Sequence, residues 1–411
     1  MTRRRTSQRG AALLLVLVAV AVLTALAVDL AYESRVSLRI AANARDELRA
    51  SASARGGVAL ARVVLSLQQK IDAAIPASGG AGKGLPSFPR PQLWRLIPVG
   101  DSLATGLFGG PGGAPIAAAA EGEDRRRGEG FDVDVDDEAR KVNVQLDTSG
   151  TLLAAQVRAL YQLVCDPRWD ALFDRDDANG MRVSRQDLLV YLRDWVDPLD
   201  VASALAAGFP PGGCEIVVPA VPFENGFGDE NYPYDRGEDR YRVKNARMDS
   251  LAELHLVAGV SDAFMAAFGD AITVYPPRDA RQNPNDPRPE ALLLNAAVAA
   301  DPPGQPELRN PEFLVRLQRL FLEKTFGGLL SLTPADFGDL VEAAGVTVNK
   351  VQLSPQSTQN PFTDRSTTFR LRAVGRAGDV AKTLDVVVWM TDPAKNAPET
   401  TPGRIVHWSE E

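Results

Sequence analysis

Between Asp194 and Asp239 the chain concentrates oxygen donors. Asp194, Asp197 and Asp200 fall at three-residue steps around Trp195. Glu224, Asp229, Glu230, Asp235, Glu238 and Asp239 follow, opposed in that stretch only by Arg236 and Arg240. Carboxylates at this density repel one another unless a cation sits among them. Calcium takes about six to eight oxygens from carboxylates and backbone carbonyls, and an irregular Gly-rich loop can supply both. The competing reading is an ordinary solvated acidic loop.

Other residues with chemical capacity are few. Asp174-Arg175-Asp176-Asp177-Ala178-Asn179-Gly180 begins like an EF-hand, but counting from Asp174 puts Ala178 at the fifth place and Gly180 at the seventh. The register fails, and the stretch reads as an Asp/Asn/Gly turn. The two histidines, His255 and His407, are far apart in sequence, which argues against imidazole metal or triad chemistry. No nucleophile elbow, phosphate loop, His-Glu-x-x-His or spaced Cys/His cluster is present. An enzyme is not expected. The two cysteines, Cys165 and Cys214, could close a loop in an oxidising compartment. Chain entropy would make that disulfide worth about 4 kcal/mol; two unpaired buried thiols are the alternative.

The elements that must position these residues follow from periodicity. Asp29 to Ile75 contains no proline. Leu60, Val63, Val64, Leu67, Ile71 and Ile75 recur there at three- and four-residue steps, which predicts a helix with one apolar stripe. Gly56-Gly57 could bend it. Residues 76–130 are rich in Gly, Pro and Ala and read as loop, with an ordered piece at Leu93-Trp94-Arg95-Leu96. Phe131–Val135 and Lys141–Gln145 alternate with period two around Asp136–Arg140, which predicts a hairpin. Helices are expected over Thr151–Cys165, from a capping box at Ser184-Arg185-Gln186-Asp187 through Trp195, over Ser250–Gly259 and Ser261–Phe268, and over Pro311–Glu323 and Pro334–Ala344. Residues 276–289 read as a linker. Strands close the chain at Thr367–Val374, Val380–Met390 and Arg404–Trp408, with a turn at Gly375–Gly378. A helical block between two strand groups predicts an α+β fold with an insertion.

The N-terminus supplies the last candidate chemistry, proteolytic processing. Arg3, Arg4, Arg5 and Arg9 precede an uncharged run from Ala11 to Val28. As a helix that run spans roughly 27 Å, about one hydrocarbon core, and the arginines predict a cytoplasmic N-terminus. The whole chain of 411 residues carries a net charge of −8, so the body beyond those arginines is more acidic still. Affinity for nucleic acid or anionic lipid is not expected. The apolar run reads in three ways: a signal peptide cut after Ala25-Leu26-Ala27, a plain signal anchor, or a prepilin-type leader cut between Gly10 and Ala11.

Several stretches carry a family resemblance. They are the Gly10–Ala11 site with Leu15 where most pilin-like chains have glutamate, Asp137–Val144, Tyr191–Asp197, Tyr241-Arg242-Val243-Lys244-Asn245, Ser250–Val260 and Ala271-Ile272-Thr273-Val274-Tyr275. In this order they resemble the K-class minor pseudopilin of type II secretion, most specifically over residues 241–275. The fit is weaker over 76–125 and 279–310, where Leu293-Leu294-Asn295-Ala296-Ala297 stands in for an asparagine-rich strand.

The resemblance implies a leader at 1–10, a helix at 11–75 (membrane-spanning at 11–28), the first part of a pilin-like head at 76–146, an inserted α-helical domain at 147–275 and the rest of the head at 276–411. That inserted domain would be SAM-like or helix-hairpin-helix-like. The resemblance further implies a single-pass protein of the bacterial inner membrane with its bulk in the periplasm, cut and N-methylated by the prepilin peptidase. It would act at a pseudopilus tip with the I- and J-class minor pseudopilins in the export of folded substrates. It also favours calcium in the helical domain, at Asp194, Asp197, Asp200, Asp229, Glu230, Asp235, Glu238 and Asp239. The stretch Leu254–Val260 resembles a DNA-gripping hairpin but lacks its second glycine, and packing is its expected role, with His255 partly buried. The alternatives are a signal-anchored periplasmic adaptor and a type IV pilus minor pilin.

Overall fold

The computed structural model describes residues 9–74, 90–100, 103, 129–173, 176, 182–209, 218–235, 240–275, 281–390 and 403–411. Helix α1 runs unbroken from Arg9 to Ala74, about 99 Å at helical rise. Its first half makes almost no contact with the rest of the chain. Leu15 and the apolar side chains that follow it to Leu30 are more than half exposed, and this is the one described helix long and apolar enough to cross a membrane. The second half is amphipathic. Ala50, Ala54, Val58, Ala61, Val64 and Leu65 are buried at the three- and four-residue steps that keep them on one face.

The rest of the chain gives β1 (Arg90–Pro91), α2 (Leu93–Leu96), β2 (Val99–Gly100), β3 (Gly130–Asp137) and β4 (Val142–Asn143). Next come α3 (Gly150–Val164), α4 (Asp170–Phe173), α5 (Arg185–Val196), β5 (Ser203–Leu205), β6 (Phe223–Asn225), α6 (Asp262–Phe268) and β7 (Ile272–Thr273). The remainder is α7 (Pro289–Ala299), α8 (Pro311–Lys324), β8 (Leu330–Ser331), α9 (Pro334–Ala344), β9 (Thr368–Ala377), β10 (Val380–Trp389) and β11 (Arg404–Glu410).

A five-stranded antiparallel sheet, ordered β11-β10-β9-β3-β2, receives the second half of α1. Phe369, Leu371 and Ala373 of β9 and Leu384, Val386 and Val388 of β10 face that helix at period two and form one core with it. Small residues let the two layers close. A Cβ on Gly375 would lie 2.0 Å from the Ala50 carbonyl oxygen and 2.5 Å from the Ala54 nitrogen, and one on Gly57 would meet Phe131 and Val133 at 2.7 and 2.8 Å. Gly375 therefore belongs to a strand, and the turn is the two residues Gly378-Asp379 between paired Ala377 and Val380. Gly378 has φ 59°, the left-handed conformation such a turn requires.

A larger, mostly helical body holds the second core. Here α3 packs on α5 and α7, and α8 packs on α7 and α9, over Leu160, Tyr161, Leu188, Leu192, Phe268, Leu292, Phe321 and Phe337. Overall the fold is α+β, as the order of periodicities predicts. Three further local expectations differ from the structure. The hairpin over 131–145 does not form: β3 pairs with β9, and after a 3-10 turn at Glu138–Arg140 the chain leaves the sheet so that β4 pairs in parallel with β7. Residues 281–289 are no linker, since Asn283, Asn285 and Asp286 are buried. Leu293–Ala297 is helical, within α7, where an almost wholly apolar run is buried on nearly every side and shows no period.

Candidate functional site

The described residues hold two clusters of acidic side chains, and the first is the sequence-predicted one. The capping box at Ser184 and Asp187 forms as expected and opens α5. That helix delivers Asp194 near its end, 2% exposed, with one carboxylate oxygen accepting from the Ser203 N–H at 2.8 Å. The short β5–β6 hairpin, which the acidic loop's composition concealed, turns the chain back and brings Glu230, 2% exposed, to the same place. Asn245 then joins them: its amide donates to Asp200 Oδ1 and to Glu230 Oε1, each at 2.8 Å. Asn245 has φ 50°, a conformation asparagine tolerates better than most residues.

Glu230 Oε2 and Asn245 Oδ1 are buried and accept no hydrogen bond. Burial raises the Glu230 carboxyl above its usual range, and the charges of Asp194, Asp200 and Asp197 raise it further. The Asp194 carboxyl is likewise raised, chiefly by burial, with Asp197 adding to it. Two unpartnered oxygens among mutually repelling carboxylates are the kind of atoms that could contribute to a hard-cation site. Behind them the rings of Trp195, Tyr234 and Tyr241 pack edge-on or tilted, with centroids 5.3–6.3 Å apart. The Tyr241 hydroxyl donates to Leu256 O at 2.8 Å, which ties the site to the 251–260 hairpin.

Not every predicted donor takes part. Asp197 is engaged by Arg193 at 3.0 Å and by the Leu199 N–H. Asp229 folds onto the backbone and side chain of Asn231, and Asp235 is exposed beside Arg240. Glu238 and Asp239 lie outside the described residues. As the side chains stand, no group of three or more His, Cys, Asp or Glu among the described residues converges on one point to hold a metal. Asn245 bonds Asp200 and Glu230 within the cluster, a role that the acidic composition of the loop does not signal. Its position just past Tyr241 and Val243 was the available signal.

The remaining candidates are placed as follows. Gly10 and Ala11 lie in the first turns of α1, and Leu15 is exposed on it. Cys165 is disulfide-bonded; Cys214, the other cysteine in the chain, lies outside the described residues, as does most of Asp174–Gly180. The 251–256 segment is a 3-10 turn with its own Ser250/Glu253 capping box. His255 is partly exposed, 3.5 Å from Asp262.

The second cluster was not foreseen. It lies where β3 leaves the sheet for the helical body. Asp137 accepts from the Ala139 N–H and the Asn283 amide at 2.9 Å each, and from the Ser366 hydroxyl. Glu138 accepts from Lys141 and Arg370 at 2.7 Å each and from Thr273. Asp286 receives Arg288 through Nη2 at 2.6 Å and through Nε, and Arg140 approaches at 3.5 Å. Burial pushes Asp137 up to about 6. Burial also opposes the charge on Glu138, but Lys141 and Arg370 outweigh it and hold that carboxyl below its usual range. Asp286 is held low in the same way by Arg288 and Arg140.

The architecture is thus a half-bare, half-packed helix on an antiparallel sheet, with a helical body carrying a cluster of acidic side chains. No family model and no curated protein matches the chain. A solved structure similar to it is the crystal structure of the GspK-GspI-GspJ complex from the enterotoxigenic Escherichia coli type 2 secretion system. The match has 14% identity, covers 90% of this chain and 99% of that one, and has a TM-score of 0.44. At that identity and score the likeness carries no statement about function.

Proposed function

We propose that this chain is a pilin-like assembly subunit. More narrowly, it is a K-class minor pseudopilin that sits at the tip of a type II secretion pseudopilus and helps to start it. The observation that carries the reading is α1: one helix, without interruption, supplies both a bare apolar span and the face on which the sheet is built. The motif resemblance over residues 241–275 supports it. In this reading the chain spans the bacterial inner membrane once, with its bulk in the periplasm. The prepilin peptidase cuts between Gly10 and Ala11, and the exposed apolar half of α1 passes from lipid into a bundle with the I- and J-class minor pseudopilins.

Leu15 gives the position. A glutamate there would pair with the N-terminal amine of the subunit ahead; a leucine has no such pairing to satisfy, which suits a subunit that enters first. N-terminal sequencing of the membrane-extracted protein tests the reading. A mature start at N-methylated Ala11 is expected, whereas a start at Met1 or Val28 would leave a signal-anchored adaptor or a secreted protein instead. Leu15→Glu should impair initiation of the pseudopilus, and unchanged secretion would remove the tip assignment.

Calcium belongs to the same proposal. Asp194, Asp200 and Glu230 would hold it with the Asn245 side-chain oxygen, and it would supply the positive charge that the described residues around those carboxylates lack. Its role is structural, fixing the acidic loop against α5. A melting temperature that is the same in EGTA and in excess calcium would exclude it.

A further inference from the structure

Lys244 and Asn245 are neighbours in the chain, and their side chains go to two different places. Asn245 donates to Asp200 Oδ1 and Glu230 Oε1 in the acidic cluster. Lys244 donates to Asp249 Oδ2 and Glu253 Oε2 at 2.8 Å each. Glu253 is the carboxylate of the capping box that opens the 251–256 turn. Its other oxygen accepts from the Asp249 and Ser250 N–H groups at 2.7 and 3.3 Å. A single peptide unit therefore joins the acidic cluster to the cap of the turn.

The backbone of Asn245 divides the two directions. Its φ of 50° is a left-handed conformation that persists only where the surroundings hold it. Turning this residue back to an ordinary φ would redirect the peptide planes on either side. Its amide could not then keep both acceptors while Lys244 keeps Glu253. Two further ties run the same way. The Tyr241 hydroxyl donates to Leu256 O at 2.8 Å, and the Ala258 N–H donates to the Tyr234 hydroxyl at 3.3 Å. On the cluster side, the Val243 N–H donates to Asn231 Oδ1, one residue past Glu230, at 3.1 Å.

We infer that Asn245 is a latch between the acidic cluster and the 251–258 turn. The bonds that hold its amide in the cluster also hold Lys244 on Glu253, so order in the cluster sets order in the turn. Resting on the calcium reading above, a cation that fixed Asp200, Glu230 and Asn245 would tighten the turn from one side. The element so controlled is a surface one, since Tyr241, His255 and Leu256 are exposed on it.

The test is hydrogen exchange of the detergent-solubilised full chain, read by mass spectrometry over residues 251–258. The amides of β9 and β10 serve as the control for global unfolding. In EGTA, Asn245→Ala should speed exchange of the turn about tenfold and leave the control amides unchanged. Asn245→Gly, which takes the left-handed conformation freely, should speed it less. In the parent, excess calcium chloride should slow exchange of the turn about tenfold. Lys244→Met should still bind calcium by titration calorimetry yet lose that slowing.

The inference is overturned if Asn245→Ala exchanges like the parent, if it speeds the control amides equally, or if Asn245→Gly is the faster of the two. It is also overturned if the parent binds calcium without slowing the turn, or if Lys244→Met keeps the slowing. A parent that binds no calcium removes the calcium reading alone, and the Asn245→Ala result in EGTA then decides the coupling.

Discussion

Asp137, Glu138 and Asp286 at the junction lie within reach of Arg140, Lys141, Arg288 and Arg370. Asp194 and Glu230 are as deeply buried and Asp200 is exposed; Asn245 bonds Asp200 and Glu230, while Arg193 is committed to Asp197. The two clusters are built from the same residue type and differ in where their neutralising charge comes from. The junction carries its own and is complete within the chain. The other has no basic side chain bonded to Asp194, Asp200 or Glu230 among the described residues, and on the calcium proposal a bound cation would neutralise it.

The largest expected effect is at the junction. Glu138→Ala leaves Lys141 and Arg370 buried without their shared carboxylate, and removing one partner of a buried pair typically costs about 3–5 kcal/mol. Denaturant unfolding of the full chain should show the loss, and a change under 1 kcal/mol would mean that the pairing is not stabilising as arranged.

Next in size is a pH effect. A carboxyl raised in the folded state stabilises that state fully below its unfolded value and loses the contribution as pH rises through its folded value. Asp137, raised to about 6, should therefore make the protein less stable between about pH 4 and pH 6, by up to roughly 3 kcal/mol. Glu138 and Asp286, held low, contribute the opposite slope: their stability is present above the ordinary carboxylate range and fades as acid protonates them. Asp137→Asn should leave only the acid-side loss. If the melting profile of that variant matches the parent between pH 4 and pH 6, the raised value is wrong.

In the open cluster, calcium at a hundredfold excess over its dissociation constant should stabilise by about 2.7 kcal/mol. Asp194→Ala should abolish that shift without affecting the junction. The smallest effect is the sharpest. In chelator, Glu230→Gln should raise stability, by about 1 kcal/mol, because it removes one of the mutually repelling charges. The same change at Glu138 should lower it. If both substitutions moved the melting temperature in the same direction, the distinction between the clusters would fail.

How much of this was legible in the sequence depends on where each signal is generated. Caps and amphipathic stripes are local, so α3, α5, α8 and α9 fall close to their expected ranges. The β9–β10 pair was evident from alternation. No hairpin forms over 131–145 because Lys141–Gln145 alternates for a different reason: Val142 and Val144 face the helical core, the Asn143 side-chain oxygen accepts from the Gln145 N–H, and the Gln145 amide donates to Met248 O. Asn283, Asn285 and Asp286 looked like linker composition because proline separates them. The hydrogen bonds of Asn283 and Asn285 reach Asp137 and Leu332, and Asp286 pairs with Arg140, all distant in sequence. The acidic loop was recognisable as a candidate. Which of its carboxylates converge was not, since the β5–β6 turn and Asn245 make that choice through folding.

The close seating of α1 on β9 has a mechanical meaning. Ala50 and Ala54 lie so near Gly375 that not even a methyl group fits between helix and strand. Sliding the helix along the sheet by a residue or two would bring larger side chains against backbone that has no room for them. Rolling it would do the same. The joint is therefore keyed, and α1 acts as a rigid shaft for the head. A push or twist delivered to the apolar end reaches the far end of the molecule with little slack.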